Sequence, residues 1–156
     1  MRKMIVVLSV LALLVSVPIV VMAVELHNGT HLDRQRSGIR STPVSTSRTS
    51  WANVPGLQMD VCAIGWASAT INVVVSGAPV NFRVLADGVP PFMSPGSVRF
   101  NPSAGTTSFS FTFVGRMRTF EGSDGHLFDL QWRSPSGGAV TLRNGTMNLV
   151  FGLGSC

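Results

Sequence analysis

From Trp51 onward the chain is built of short runs in which apolar and polar residues alternate strictly. The clearest is Thr107 to Val114, where Phe109, Phe111 and Phe113 share one face and Ser108, Ser110 and Thr112 the other. A period of two puts three rings into a core and three hydroxyls into water. His126 to Arg133 repeats the arrangement, with Phe128, Leu130 and Trp132 opposite Asp129, Gln131 and Arg133. Shorter runs of the same kind are Ile71-Val73-Val75, Phe82-Val84, Val98-Phe100, Val140-Leu142 and Met147-Leu149-Phe151.

Turn-forming residues separate these runs. Ser76-Gly77-Ala78-Pro79, Asp87-Gly88, Ser94-Pro95-Gly96, Asn101-Pro102-Ser103, Asp124-Gly125, Ser136-Gly137-Gly138 and Asn144-Gly145 all punctuate the pattern. Asn144-Gly145, between Leu142 and Met147, is the strongest hairpin signal among them. No mature segment shows sustained helical spacing. With Leu57 to Ile64 as the first strand, the spacing predicts an all-β domain over 51–156. The expected form is a two-sheet antiparallel β-sandwich of the immunoglobulin-like or jelly-roll kind, with about eight strands.

One run breaks the alternation. Met59, Val61 and Ala63 lie on one face, while Cys62, Ile64 and Trp66 make the other face apolar as well. Such a strand is bulged, buried twice or part of a contact surface. This makes Ile64 and Trp66 candidate interaction residues.

Ahead of the domain, residues 1–23 carry Arg2 and Lys3, an apolar core, Pro18 and small or tolerated residues at Val21 and Ala23. That is the three-part pattern of a secretory signal peptide cleaved after Ala23. An uncleaved membrane anchor is the competing reading, because Met4 to Val24 has no charge. Either way the remainder is expected outside the cytoplasm. Residues 24–50 are poor in apolar residues and rich in Ser, Thr and Arg, which predicts a flexible linker.

Export makes the cysteines informative. Cys62 and Cys156 are an even pair, expected to form a disulfide that ties the first strand of the domain to the last. The chain-entropy argument assigns such a bridge about 4–5 kcal/mol. Interchain bridges in a homo-oligomer are the alternative.

Composition then narrows the function. The chain has 156 residues, a net charge of +5 and a pI near 11, which invites a nucleic-acid reading. The charge is unevenly placed, however. Two of the five units lie at Arg2 and Lys3, and two more in 24–50. Residues 51–156 hold six Arg against five acids. Arg116 and Arg118 are the close basic pair, and Glu121 and Asp124 follow at once. No nucleic-acid partner is expected from that pattern.

No CxxC, HExxH, GxSxG, Walker-type loop or GxGxxG occurs, and Lys3 is the single lysine. The densest polar cluster runs from Glu121 to His126. Glu121 and Asp124 are weak calcium-ligand candidates, since two carboxylates fall short of a calcium shell. Ser123, Asp124 and His126 stand too close in sequence to converge as a triad. Carbohydrate binding rests on Trp51 and Trp66, the aromatics without a core assignment. The expectation is a non-enzymatic secreted or cell-surface module without a cofactor. It would act by contact with a protein or surface polymer through Ile64, Trp66, Arg116 and Arg118. The rival is a calcium-dependent or carbohydrate-binding module, or less readily a small hydrolase using the 121–126 loop.

Overall fold

A computed structural model describes residues 33–88, 93–102, 105–116 and 125–153. Every described element is a β-strand. In chain order these are β1 (Asp33–Arg40), β2 (Val44–Thr46), β3 (Ala52–Gly77), β4 (Val80–Ala86), β5 (Met93–Ser94), β6 (Val98–Phe100), β7 (Thr106–Arg116), β8 (Gly125–Arg133) and β9 (Val140–Leu153). All pairings are antiparallel. The predicted all-β class is therefore the observed one.

The strands form one continuous nine-stranded sheet where two separate sheets were expected. The reason is β3, whose 26 residues far exceed the usual strand of about 5–6. Its first part pairs with β8, and β8 leads on to β4 and β6. Its second part, from Ala63, lies between β9 and β7. Aromatic rings of the two arms meet inside. Phe82 of β4 lies 5.5 Å from Phe111 of β7, and Phe100 of β6 stacks on Phe109 at 4.2 Å.

Two irregularities let β3 serve both arms. Asn53 opposes Gln131 and Gln58 opposes Asp129, so β3 spends three extra residues there. An odd insertion reverses which residues face inward. Ala52 packs against the core before it, and Met59, Val61 and Ala63 are buried after it. Gly56, at φ 80°, supplies the left-handed residue this bulge requires. Farther on, Ile64 opposes Gly152 and Ala67 opposes Phe151, an insertion of two residues. An even insertion keeps the alternation, and Ala67, Ala69, Ile71, Val73 and Val75 stay buried. The run that is apolar on both faces in the sequence is thus a strand crossing from one arm to the other.

The core holds Trp132, Phe82, Phe113 and Phe128 with a shell of Leu, Ile, Val and Met. Each such ring or aliphatic side chain contributes about 1.5–3 kcal/mol by leaving water. Three expectations need correction. The linker assigned to 24–50 contains β1 and β2, both paired with β9. Arg36 donates to the Asp60 carbonyl at 2.7 Å and Arg40 to the Pro55 carbonyl at 2.8 Å. Order in β1 thus comes from backbone pairing and arginine bridges, neither of which leaves an apolar period. Asn144-Gly145 is not a hairpin. It lies within β9, where Arg143 is an extra residue against β3. A Cβ on Gly145 would come within 3.3 Å of Leu57 and Val73, so close packing accounts for that glycine. Nine strands replace the expected eight, because β1, β2 and β5 add to the count while four expected runs merge into β3 and β9.

Gly77 ends β3 at φ 102°, and a Cβ there would meet the Ala139 carbonyl oxygen at 2.3 Å. Gly77→Ala is expected to cost about 2–4 kcal/mol, because a backbone clash adds to left-handed strain. Gly105 has φ 119° but nothing within 4 Å, so Gly105→Ala should cost only about 1 kcal/mol. Urea unfolding of the two variants measures the difference.

Candidate contact face

The outward side of β1, β9, β3 and β7 is a grid read directly from the register. Gln35, Val150, Ser68 and Val114 form one row across the strands. Ser37, Asn148, Thr70 and Thr112 form the next, and Ile39, Thr146, Asn72 and Ser110 the third. Asn144, Val74 and Ser108 complete a fourth. None of these fifteen positions carries a charge, in a chain of which 12% of residues are charged. Cross-strand hydrogen bonds tie the rows internally. Ser37 donates to Asn148 at 2.7 Å, Thr70 and Thr112 share a bond of 3.1 Å, and Asn72 donates to Thr146 at 3.3 Å.

At one end of the grid stands Trp66, 65% exposed and paired across the sheet with Arg116. Trp66 belongs to the two-residue insertion of β3, so it is displaced from the regular pleat and its indole is left outside. Val114 and Val150, each more than two-fifths exposed, lie in the neighbouring row. At the other end a groove of about 490 Å³ is floored by Asn72, Val74 and Asn144 and walled by Ile39, Arg40 and Ser41. Ile39 is 73% exposed.

The residues singled out in the sequence fall as follows. Trp66 and Arg116 come together at the end of the grid. Ile64 is half-buried opposite Gly152. Cys62 is half-buried opposite Gly125, and Cys156 lies outside the described residues. Arg118, Glu121, Ser123 and Asp124 also lie outside them. Among the described residues no group of three or more His, Cys, Asp or Glu side chains gathers as a metal site.

His126 lies on the core side of β8, 2% exposed. Its Nδ1 is 2.6 Å from the Asp87 carboxylate, whose other oxygen accepts the Leu127 amide at 2.8 Å. Asp87 in turn donates its own amide to the Leu127 carbonyl. Asp87 and Gly88 both adopt left-handed φ, of 56° and 70°, as the expected turn requires. The Asp87 pairing was missed because its partner lies 39 residues away. Asp129 also departs from expectation: it is 6% exposed and accepts a hydrogen bond from Gln58 at 2.6 Å.

The uncharged grid was not singled out either, although its signal is present in the sequence. From Ser68 to Val74, from Ser108 to Val114 and from Asn144 to Val150 the outward positions are Ser, Thr and Asn, with Val filling the rest. What was hidden is that these three strands are neighbours.

No protein-family model matches the chain, and no curated protein matches it. Among solved structures, a family two carbohydrate esterase from Cellvibrio japonicus is similar over 80% of this chain and 37% of that one, at 12% identity and a TM-score of 0.23. The chain thus spans little more than a third of that esterase's length, and a likeness so slight carries no functional argument.

Asp87→Ala removes both acceptors at once and leaves the buried imidazole and the Leu127 amide unpaired. We expect a loss of about 2–3 kcal/mol from such orphaned groups, against under about 0.5 kcal/mol for a surface change such as Ser108→Ala. Thermal unfolding of both variants checks the contrast.

Proposed function

We propose that the protein is a non-enzymatic, secreted or cell-surface contact module that engages a protein partner through the outward face of β1, β9, β3 and β7. The observation that carries this reading is the fifteen-position uncharged grid, ended by an indole 65% exposed. Charged side chains are depleted and aromatic ones enriched at the cores of protein interfaces, and tryptophan is one of the residues enriched at binding hot spots. A face meant only to meet water has no need to exclude Lys, Arg, Asp and Glu from every row.

Export and the Cys62–Cys156 bridge belong to the same proposal. Ala63, next to Cys62, opposes Leu153 in β9, three residues short of Cys156. The last strand is thereby brought within reach of the first cysteine. Intact mass of the exported protein tests both points, with Val24 expected as the first residue and one intrachain disulfide expected in the mass.

The face itself is tested by two substitutions that leave the core alone. Trp66→Ala removes the indole, and Thr70→Lys puts a charge in the middle of the grid. Each is expected to lower the fraction of exported protein retained on the surface of the producing cells about fivefold or more, a loss of about 1 kcal/mol or above, with the melting midpoint unchanged. Retention equal to that of the parent protein in both variants would overturn the reading.

A further inference from the structure

The outward face of the other arm has another character. On the outward face of the arm formed by β8, β4 and β6, three arginines gather at one end. Arg99 of β6 opposes Asn81 of β4, and Asn81 opposes Arg133 of β8. Arg83 lies one pleat along β4, opposite Gln131, to which its Nε donates at 2.9 Å. With strands about 4.8 Å apart, Arg99 and Arg133 stand about 10 Å from each other at the backbone. The guanidinium carbons of Arg83 and Arg133 lie 4.3 and 4.7 Å from the centre of the Trp51 ring.

Among the described residues none of the three arginines has a carboxylate partner, the ion pair found there being His126 with Asp87. Of the acids on this outward face, Asp129 stands in the row next to that of Arg83 but is buried and held by Gln58, and Asp60 stands one row beyond. Burial lowers the pKa of Arg83 from its ordinary value, and the charge of Arg133 lowers it further. Two guanidiniums held against one ring thus repel each other, a cost that an anion placed between them would remove.

We propose that this end of the sheet binds an anionic polysaccharide, one bearing carboxylate or sulfate groups, with Arg83, Arg99 and Arg133 as the anion contacts. Arginine suits this task because its planar fork matches the two oxygens of such a group. The same geometry speaks against a nucleic acid. Trp51 is the aromatic of this patch, and both guanidiniums already lie over its ring, so a base has no open platform on which to stack. The site lies on the other arm from the contact face and does not depend on the reading given to that face.

Affinity electrophoresis of the full chain through heparin, polygalacturonate, dextran and oligothymidylate tests the assignment. Retardation is expected in heparin, in polygalacturonate or in both, and in neither case by dextran. Which one retards the protein distinguishes sulfate from carboxylate. With three contacts, the affinity should fall with added salt at a logarithmic slope of about −2. The double change Arg99→Gln with Arg133→Gln should weaken binding about tenfold, at about threefold for each guanidinium removed. Arg143→Gln removes the same kind of charge from β9 and should change it less than about twofold. Arg99→Gln alone, on the exposed edge strand β6, gives a roughly threefold loss and serves if the double variant does not fold. No retardation by either anionic glycan would overturn the proposal. So would tighter binding to oligothymidylate than to both glycans, or an equal loss from Arg143→Gln.

Discussion

The structure depends on one strand doing the work of two. A chain of β-runs can be expected to fold as separate sheets, but β3 runs unbroken for 26 residues and carries a ladder in each arm. A strand of that length would be too stiff to turn its inward face from one arm to the other without extra residues. The two insertions, one odd and one even, do this while keeping apolar side chains inside. Gly56 and Gly65, at φ 80° and 71°, sit within them. The aromatic contacts between β4, β6 and β7 follow from that geometry, because each arm is hung on the same backbone.

The same strand also separates the two outward faces. Its second part presents Ser68, Thr70, Asn72 and Val74 to one side. The strands reached through its first part present Arg83, Arg99 and Arg133 to the other. A net charge that looks small and evenly spread along residues 51–156 is therefore unevenly spread in space. The neutral grid and the arginine cluster exist as distinct surfaces because positions far apart in sequence take neighbouring places in one ladder. On the two proposals made above, the protein would join a protein partner on one side to an anionic polymer on the other.

Much of the fold was legible along the chain. Phe109, Phe111 and Phe113, and likewise Phe128, Leu130 and Trp132, take the inward positions that a period of two assigns them. The turns at Gly77, at Asp87-Gly88 and at Ser136-Gly137 stand where their residues place them. Reading failed where order comes from a neighbour. Asp33 to Arg40 has no apolar period, yet β9 supplies eight backbone partners and two arginines anchor the free edge. Asn144-Gly145 carries the residues of a tight turn, but the ladder with β3 runs through it, and the signal resolves into a bulge. Of the candidate site, Trp66 and Arg116 were legible through the doubly apolar run and the basic pair, whereas the grid beside them was not.

By itself, the sequence determined the class of structure and the inward set of side chains. Alternation is a local property, and burial of every second residue pays regardless of which strand lies alongside. Strand order was left to tertiary structure, because antiparallel pairing between distant segments depends on which edges meet, and no local pattern encodes that. Strand order in turn decided which polar positions became a contact face, which arginines became a cluster, and which aspartate was drawn under Gln58. The chemistry of each outward residue was readable one position at a time. Its meaning came from the residues across the ladder.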